Sequence, residues 1–71
     1  MENIGIDLET RFTYHAPKER QAERYEELRL FGRRFAAHIM SECPESRERS
    51  LAITKIEEAV MWANASIARN E

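Results

Sequence analysis

Proline stands at two positions in this chain, Pro17 and Pro44, and a long proline-free stretch follows each. Proline lacks the backbone N–H that a helix interior needs, but in a first turn that N–H has no partner to lose. The placement therefore predicts two helices, one from Pro17 to about Glu42 and one from Pro44 to about Arg69. Apolar periodicity agrees. Tyr25, Leu28, Phe31, Phe35 and Ile39 recur at spacings of three and four, which gathers them on one helix face. Ala52, Ile53, Ile56, Ala59, Val60, Ala63 and Ile67 fall within an arc of roughly 120° when successive side chains turn by about 100°. A residue before proline is pushed out of the helical region, so the break falls at Cys43-Pro44. With almost no loop between them, the helices fold back on each other. The predicted fold is all-α: an antiparallel two-helix hairpin over residues 17–71, preceded by an N-terminal arm over residues 1–16, all in one domain.

At 71 residues the chain is small enough that folding removes only roughly 60% of its unfolded surface from water. Chains of this size are commonly reinforced by a disulfide, a metal or self-association. Cys43 is the single cysteine, which excludes an intrachain disulfide, and His15, His38 and Cys43 do not follow a zinc-ligand spacing. Self-association remains, and no cofactor is expected. A second feature points the same way. Leu51, Met61, Trp62 and Ala65 lie opposite the apolar face of the second helix, where a lone hairpin has no further layer to cover them. Either a second subunit or the N-terminal arm must shield Trp62. Gly32, in line with Leu28, Ala36 and Met40, is open to two readings, a site of close backbone approach or a glycine tolerated on the surface.

The 11 Lys and Arg against 13 Asp and Glu give a net charge of −2, which argues against a duplex-DNA binder. No apolar run is long enough to span a bilayer and no basic-then-apolar leader is present, so neither a membrane nor secretion is expected. Glycine-rich phosphate loops, nucleophile–histidine–acid sets and metal spacings are all missing from the sequence, which predicts a protein that is not an enzyme. Glu57 and Glu58, adjacent on a helix, point about 100° apart and cannot share a catalytic site.

The densest cluster of recognition chemistry is Arg11-Phe12-Thr13-Tyr14-His15-Ala16-Pro17-Lys18. Tyr and His can stack on bases, Thr offers a hydroxyl, and Arg and Lys can meet phosphate. The same residue types could simply pin an arm to the helices, and composition leaves both readings open. On the first helix Arg20, Arg24, Arg29, Arg33 and Arg34 alternate with Glu19, Glu23, Glu26 and Glu27 at spacings suited to surface ion pairs. Arg33-Arg34 is the least compensated pair and the better candidate for an anion contact. Arg47 and Arg49 beside Glu45 and Glu48 read as a solvated, self-paired turn.

Several segments together carry a resemblance. They are Arg11-Phe12-Thr13-Tyr14-His15 with Pro17, the pair Tyr25 and Arg29, the turn Cys43-Pro44-Glu45-Ser46-Arg47, and the close Met61-Trp62-Ala63-Asn64-Ala65 with Ile67-Ala68-Arg69-Asn70. From about residue 11 onward the chain resembles the hook-domain phage sponges that block bacterial CBASS defence, whose cousins block Thoeris. The resemblance implies a helical protomer assembled as a homohexamer of two interlocked trimers. It also implies that cyclic dinucleotides are held between protomers without being cleaved, with cyclic trinucleotides in separate sites in some members. Carried over residue by residue, Tyr14 is the expected base-stacking residue and Arg29 a phosphate contact. Thr13, His15, Arg69 and Asn70 are candidates for the trinucleotide type of site. The expected function is sequestration of cyclic oligonucleotide messengers in the cytoplasm of an infected bacterial host, which inhibits CBASS. The rival readings are a small helical adaptor that docks through its Trp62 face, and an anti-Thoeris sponge for a cyclic ADP-ribose derivative.

Overall fold

The computed structural model describes Phe12, Lys18 and residues 20–71. It is all-helical over this range, with α1 spanning Gln21–Glu42 and α2 spanning Arg47–Asn70. At a rise of about 1.5 Å per residue each helix is on the order of 35 Å long. The N-terminal arm of residues 1–16 lies outside the described residues, apart from Phe12, whose side chain is exposed.

Both helices begin later than proline placement predicts, and local hydrogen bonding explains why. α1 starts at Gln21 rather than Pro17 because Arg20 takes a left-handed conformation (φ 65°, ψ −2°) that interrupts a helix. The Gln21 N–H closes a turn on the Lys18 carbonyl at 3.0 Å. α2 starts at Arg47 rather than Pro44 because Ser46 is its N-cap, with extended backbone and a hydroxyl that accepts the Arg49 N–H at 3.1 Å. The same hydroxyl donates to the Pro44 carbonyl at 3.1 Å. A short connection, Cys43–Ser46, therefore stands where almost none was expected.

The end of α1 falls where the residue-before-proline rule puts it. Glu42 is its last residue and Cys43 is extended, while the Cys43 N–H still donates to Ile39 at 2.9 Å. Arg49 is not part of a self-paired turn. Its guanidinium reaches back to the carbonyls of Met40 at 3.2 Å and Cys43 at 3.3 Å, satisfying acceptors that the end of α1 leaves open. One side chain from the first turn of α2 thus helps to cap α1 and to set the direction in which the chain returns.

The helices run antiparallel. Arg49 meets the end of α1 beside the connection, Val60 and Ile56 meet Gly32 at mid-length, and Glu71 meets Gln21 and Arg24 at the open end. Partial burial marks the seam as Tyr25, Leu28, Gly32, Ala36 and Ile39 on α1 against Ala52, Ile53, Ile56, Val60, Ala63 and Ile67 on α2. The second set follows the sequence pattern except at Ala59, which is exposed. The first keeps Tyr25, Leu28 and Ile39 of its predicted face but not Phe31 and Phe35, which stay 62% and 56% exposed because the small-residue line through Gly32 and Ala36 faces α2. A helix packs closest where side chains are smallest, and here that outweighs bringing the largest apolar groups to the centre.

Gly32 decides between its two sequence readings. A Cβ built there would lie 2.5 Å from Val60 Cγ2 and 3.7 Å from Ile56 Cγ2, so the close approach is real and the glycine is required by space. Its backbone φ is not positive, so conformational freedom is not the reason. The packing stops at this seam. Among the described residues no apolar side chain is fully buried, and Met61 and Trp62 are 51% and 59% exposed.

Replacing Gly32 with alanine should raise helix propensity by about 1 kcal/mol, yet overpacking against Val60 typically costs about 1–3 kcal/mol. The expected outcome of Gly32→Ala is a net loss of stability in urea titration, recovered in large part when Val60→Ala is added. A stabilised single variant would show that the helices can move apart at no cost.

Candidate ligand-binding site

A seam of small residues leaves a furrow along each side of the hairpin, and the two furrows differ in chemistry. On α1, Arg29 and Arg33 sit one turn apart on the opposite flank from Phe31 and Phe35. With Glu57, Met61 and Asn64 of α2 they line a cleft of about 570 Å³ whose floor is Gly32, Ala36, Ile53 and Val60. The other furrow, about 640 Å³, is lined by Leu28, Phe31, Phe35, Ile39, Ala52, Ala59 and Ala63, with Lys55 as its charged lining residue. One side offers cations and amide chemistry, and the other an almost wholly apolar surface.

In the polar cleft, Arg29 holds Glu26 at 2.9 Å, one turn back on the same helix, with both side chains more than half exposed. An exposed pair of this kind is worth well under about 1 kcal/mol, so an anionic ligand can displace it. Arg33 forms no ion pair with any described residue. Arg20, by contrast, pairs with Glu23 at 3.5 Å, the default expected along this helix. Asn64 adds an unusual feature. Its side-chain oxygen is buried and has no hydrogen-bond partner among the described residues, although a buried acceptor ordinarily finds one.

Of the other expected site residues, Arg69 and Asn70 do not join this cleft. Arg69 and Asn70 close α2 at the open end of the hairpin, where the Asn70 amide donates to the Ser66 carbonyl at 3.0 Å. Arg69 lies seven residues beyond Trp62 and so shares its outward face. Thr13, Tyr14 and His15 lie outside the described residues.

The open end contains an arrangement that sequence reasoning missed. Arg24, expected to pair along its own helix, instead grips the Glu71 carboxylate with two parallel hydrogen bonds, each 2.8 Å. The Gln21 amide donates to the same carboxylate at 3.0 Å, and the Lys18 ammonium donates to the Glu71 backbone carbonyl. The signal was available in principle. In a hairpin turning at Cys43–Ser46, residues near 21–24 and near 71 stand about equally far from the turn, so opposite charges there would meet.

With both helices and the cleft described, comparison with known proteins identifies the chain. A model of the Acb2/Tad1 hairpin domain matches residues 5–68 of the 71. The chain belongs to the Acb2/Tad1 hairpin-domain family. This is the family of the anti-CBASS and anti-Thoeris sponges, which sequester nucleotide signals, cyclic oligonucleotides among them, rather than acting on them as enzymes. No curated protein and no solved structure matches the chain. The matched range takes in Thr13, Tyr14, His15, Arg29 and Arg33 and stops short of Arg69, Asn70 and Glu71. No helix is long and apolar enough to cross a membrane among the described residues.

The clasp at the open end makes a pH prediction. Hydrogen bonds from Arg24 and then Gln21 hold the Glu71 carboxyl at a pKa of about 2, below its ordinary 4.5. A carboxyl with a depressed folded-state pKa favours folding fully above its unfolded value and loses that contribution as pH falls through the folded one. Acid titration should therefore loosen the open end between about pH 4.5 and about pH 2, and Glu71→Gln should flatten that part of the stability profile. An unchanged profile in the variant would mean that the clasp does not persist in solution.

Proposed function

We propose that this protein is a self-assembling sponge that binds cyclic oligonucleotide messengers without cleaving them and so blocks CBASS immunity during phage infection. The observation that carries the reading is the placement of Arg29 and Arg33 on one cleft, in a chain of the sponge family. Two guanidiniums about one turn apart suit a ligand with more than one phosphate; the carboxylate partner of Arg29 is displaceable, and Arg33 has none among the described residues. In this reading Arg29 and Arg33 meet phosphate. Tyr14 stacks on a base, with Thr13 and His15 beside it. Arg69 and Asn70 serve the second, trinucleotide type of site at the open end.

Self-assembly into a homohexamer is what the resemblance to the sponges implies, and the exposed apolar side chains suit it. Phe31, Phe35, Met61 and Trp62 are each more than half exposed, and a repeated subunit can cover them while supplying each cation more than once to a symmetric ligand. The assembly works in the cytoplasm of the infected cell, where both the messenger and its receptor reside. Cyclic ADP-ribose derivatives combine a base with phosphates and form the alternative ligand class within this family. A second reading, a helical adaptor, is favoured by the 59% exposure of Trp62 on the outward face of α2.

A thermal-shift panel of cyclic di- and trinucleotides separates the readings, because a ligand bound by the native state alone raises the unfolding midpoint. The sponge predicts a shift with at least one of them and recovery of that ligand intact after long incubation. Calorimetric titration then tests Tyr14 on folded protein. Tyr14→Ala should cost roughly 1–3 kcal/mol per stacked base, and Tyr14→Phe should keep most of the affinity. No shift across the panel would favour the adaptor, and a linear product above the protein-free control would point to an enzyme.

A further inference from the structure

The polar cleft has two chemically unlike walls. The α1 wall carries Arg29 and Arg33, and the α2 wall carries Glu57, Met61 and Asn64. Gly32 packs against Ile56 and Val60, so in this antiparallel pair Arg33 stands about level with Glu57. No ion pair joins the two, nor Glu57 to any other described residue. The neighbouring Glu58 instead pairs with Lys55 at 3.8 Å. A cation and a carboxylate on facing walls are therefore both open to a group that enters between them. The Asn64 oxygen on the same wall is buried, whereas Glu57 is exposed, so Glu57 is the acceptor that a ligand can reach. Beneath them the floor of Gly32, Ala36, Ile53 and Val60 is apolar, a surface on which a flat base can lie.

A carboxylate is the wrong group for a ligand made of phosphate alone. It accepts hydrogen bonds and donates none, and it repels the anion that Arg29 and Arg33 attract. A ligand that suits both walls brings N–H donors as well as negative charge, and a nucleotide does so through the edge of its base. Guanine sets N1–H and the N2 amino group side by side, two donors spaced for the two oxygens of one carboxylate. Adenine and cytosine each set an amino group beside a ring-nitrogen acceptor, and uracil holds one N–H between two carbonyls. In those bases a lone pair faces the second carboxylate oxygen. We propose that Glu57 is a specificity-determining residue of the cleft, accepting hydrogen bonds from the N1–H and N2 amino group of a guanine and so favouring guanine-bearing nucleotides over adenine-bearing ones. The inference deepens the sponge reading and rests on it for the phosphates, which meet Arg29 and Arg33. Hydrogen bonds to a charged group are worth roughly ten- to a hundredfold in affinity, and solvent around an exposed carboxylate keeps the effect near the lower figure.

The test is calorimetric titration of the full chain with cyclic di-GMP and cyclic di-AMP, which share ring and phosphates and differ in the base. Wild-type protein should bind cyclic di-GMP about tenfold more tightly. Cyclic di-IMP, which keeps N1–H and lacks the N2 amino group, should fall between them. Glu57→Ala should bring the ratio of the two affinities close to one, and it should do so by weakening cyclic di-GMP. Glu57→Gln should move the ratio further toward cyclic di-AMP, because an amide both donates and accepts and so matches the adenine edge. A general loss of structure would lower both affinities together and leave their ratio alone. The proposal is overturned if wild-type protein binds cyclic di-AMP at least as tightly as cyclic di-GMP, or if Glu57→Ala leaves the ratio unchanged. Should neither cyclic dinucleotide bind, the dinucleotide sponge reading fails by itself, and GMP against AMP in the same titration decides the role of Glu57. A preference for GMP that Glu57→Ala removes supports the proposal, and no preference overturns it.

Discussion

The arrangement of this hairpin depends on the missing side chain at Gly32. Because no Cβ stands there, Val60 packs into space that alanine would close, with its Cγ2 only 2.5 Å from where that Cβ would be. The axis of closest approach therefore runs through Gly32 and Ala36 rather than through Phe31 and Phe35. Everything lateral follows from that choice. The aromatic flank is turned aside to line an apolar furrow, and the opposite flank brings Arg29 and Arg33 beside Glu57 and Asn64. A bulkier seam would hold the helices apart and dissolve the distinction between the two furrows.

The same constraint explains why large apolar side chains of the hairpin stay exposed. A seam of small residues buries little apolar area, and each buried CH₂ stabilises by only about 0.8 kcal/mol. What the seam does not bury is left on the flanks, where Phe31, Phe35, Met61 and Trp62 remain more than half exposed. The close pairing of two helices and the apolar flanks it leaves open are thus one design. Polar ties do the work of alignment instead. Arg49 joins the helices beside the connection, and the clasp of Gln21, Arg24 and Glu71 joins them at the open end.

Much of this was legible in the sequence. Two helices, the end of the first at Glu42 and the apolar face of the second follow from proline placement and from spacings of three and four, both of which are local rules. The misreadings arise where another contact, either a local cap or a partner on the other helix, overrides the rule that was applied. Pro44 signals a helix start, but the Ser46 hydroxyl captures the Arg49 N–H and moves the start to Arg47. Phe31 and Phe35 have the stronger apolar pattern, but shape complementarity at Gly32 prevails. Arg24 has acidic neighbours on its own helix, yet a two-pronged carboxylate from the other helix is the better partner. The cleft itself was legible in part. The run Arg33-Arg34 stands out in the sequence, whereas the buried Asn64 oxygen, without a partner among the described residues, could not be seen before the helices were placed.

We infer that the hairpin is a subunit, completed by copies of itself around a shared ligand. Sedimentation equilibrium across micromolar concentrations, paired with melting curves of the same samples, addresses it most directly. A subunit of 8.4 kDa should appear as a multimer, with a midpoint that rises with protein concentration because association stabilises only the folded state. A particle of one chain's mass, melting at a midpoint independent of concentration, would contradict it.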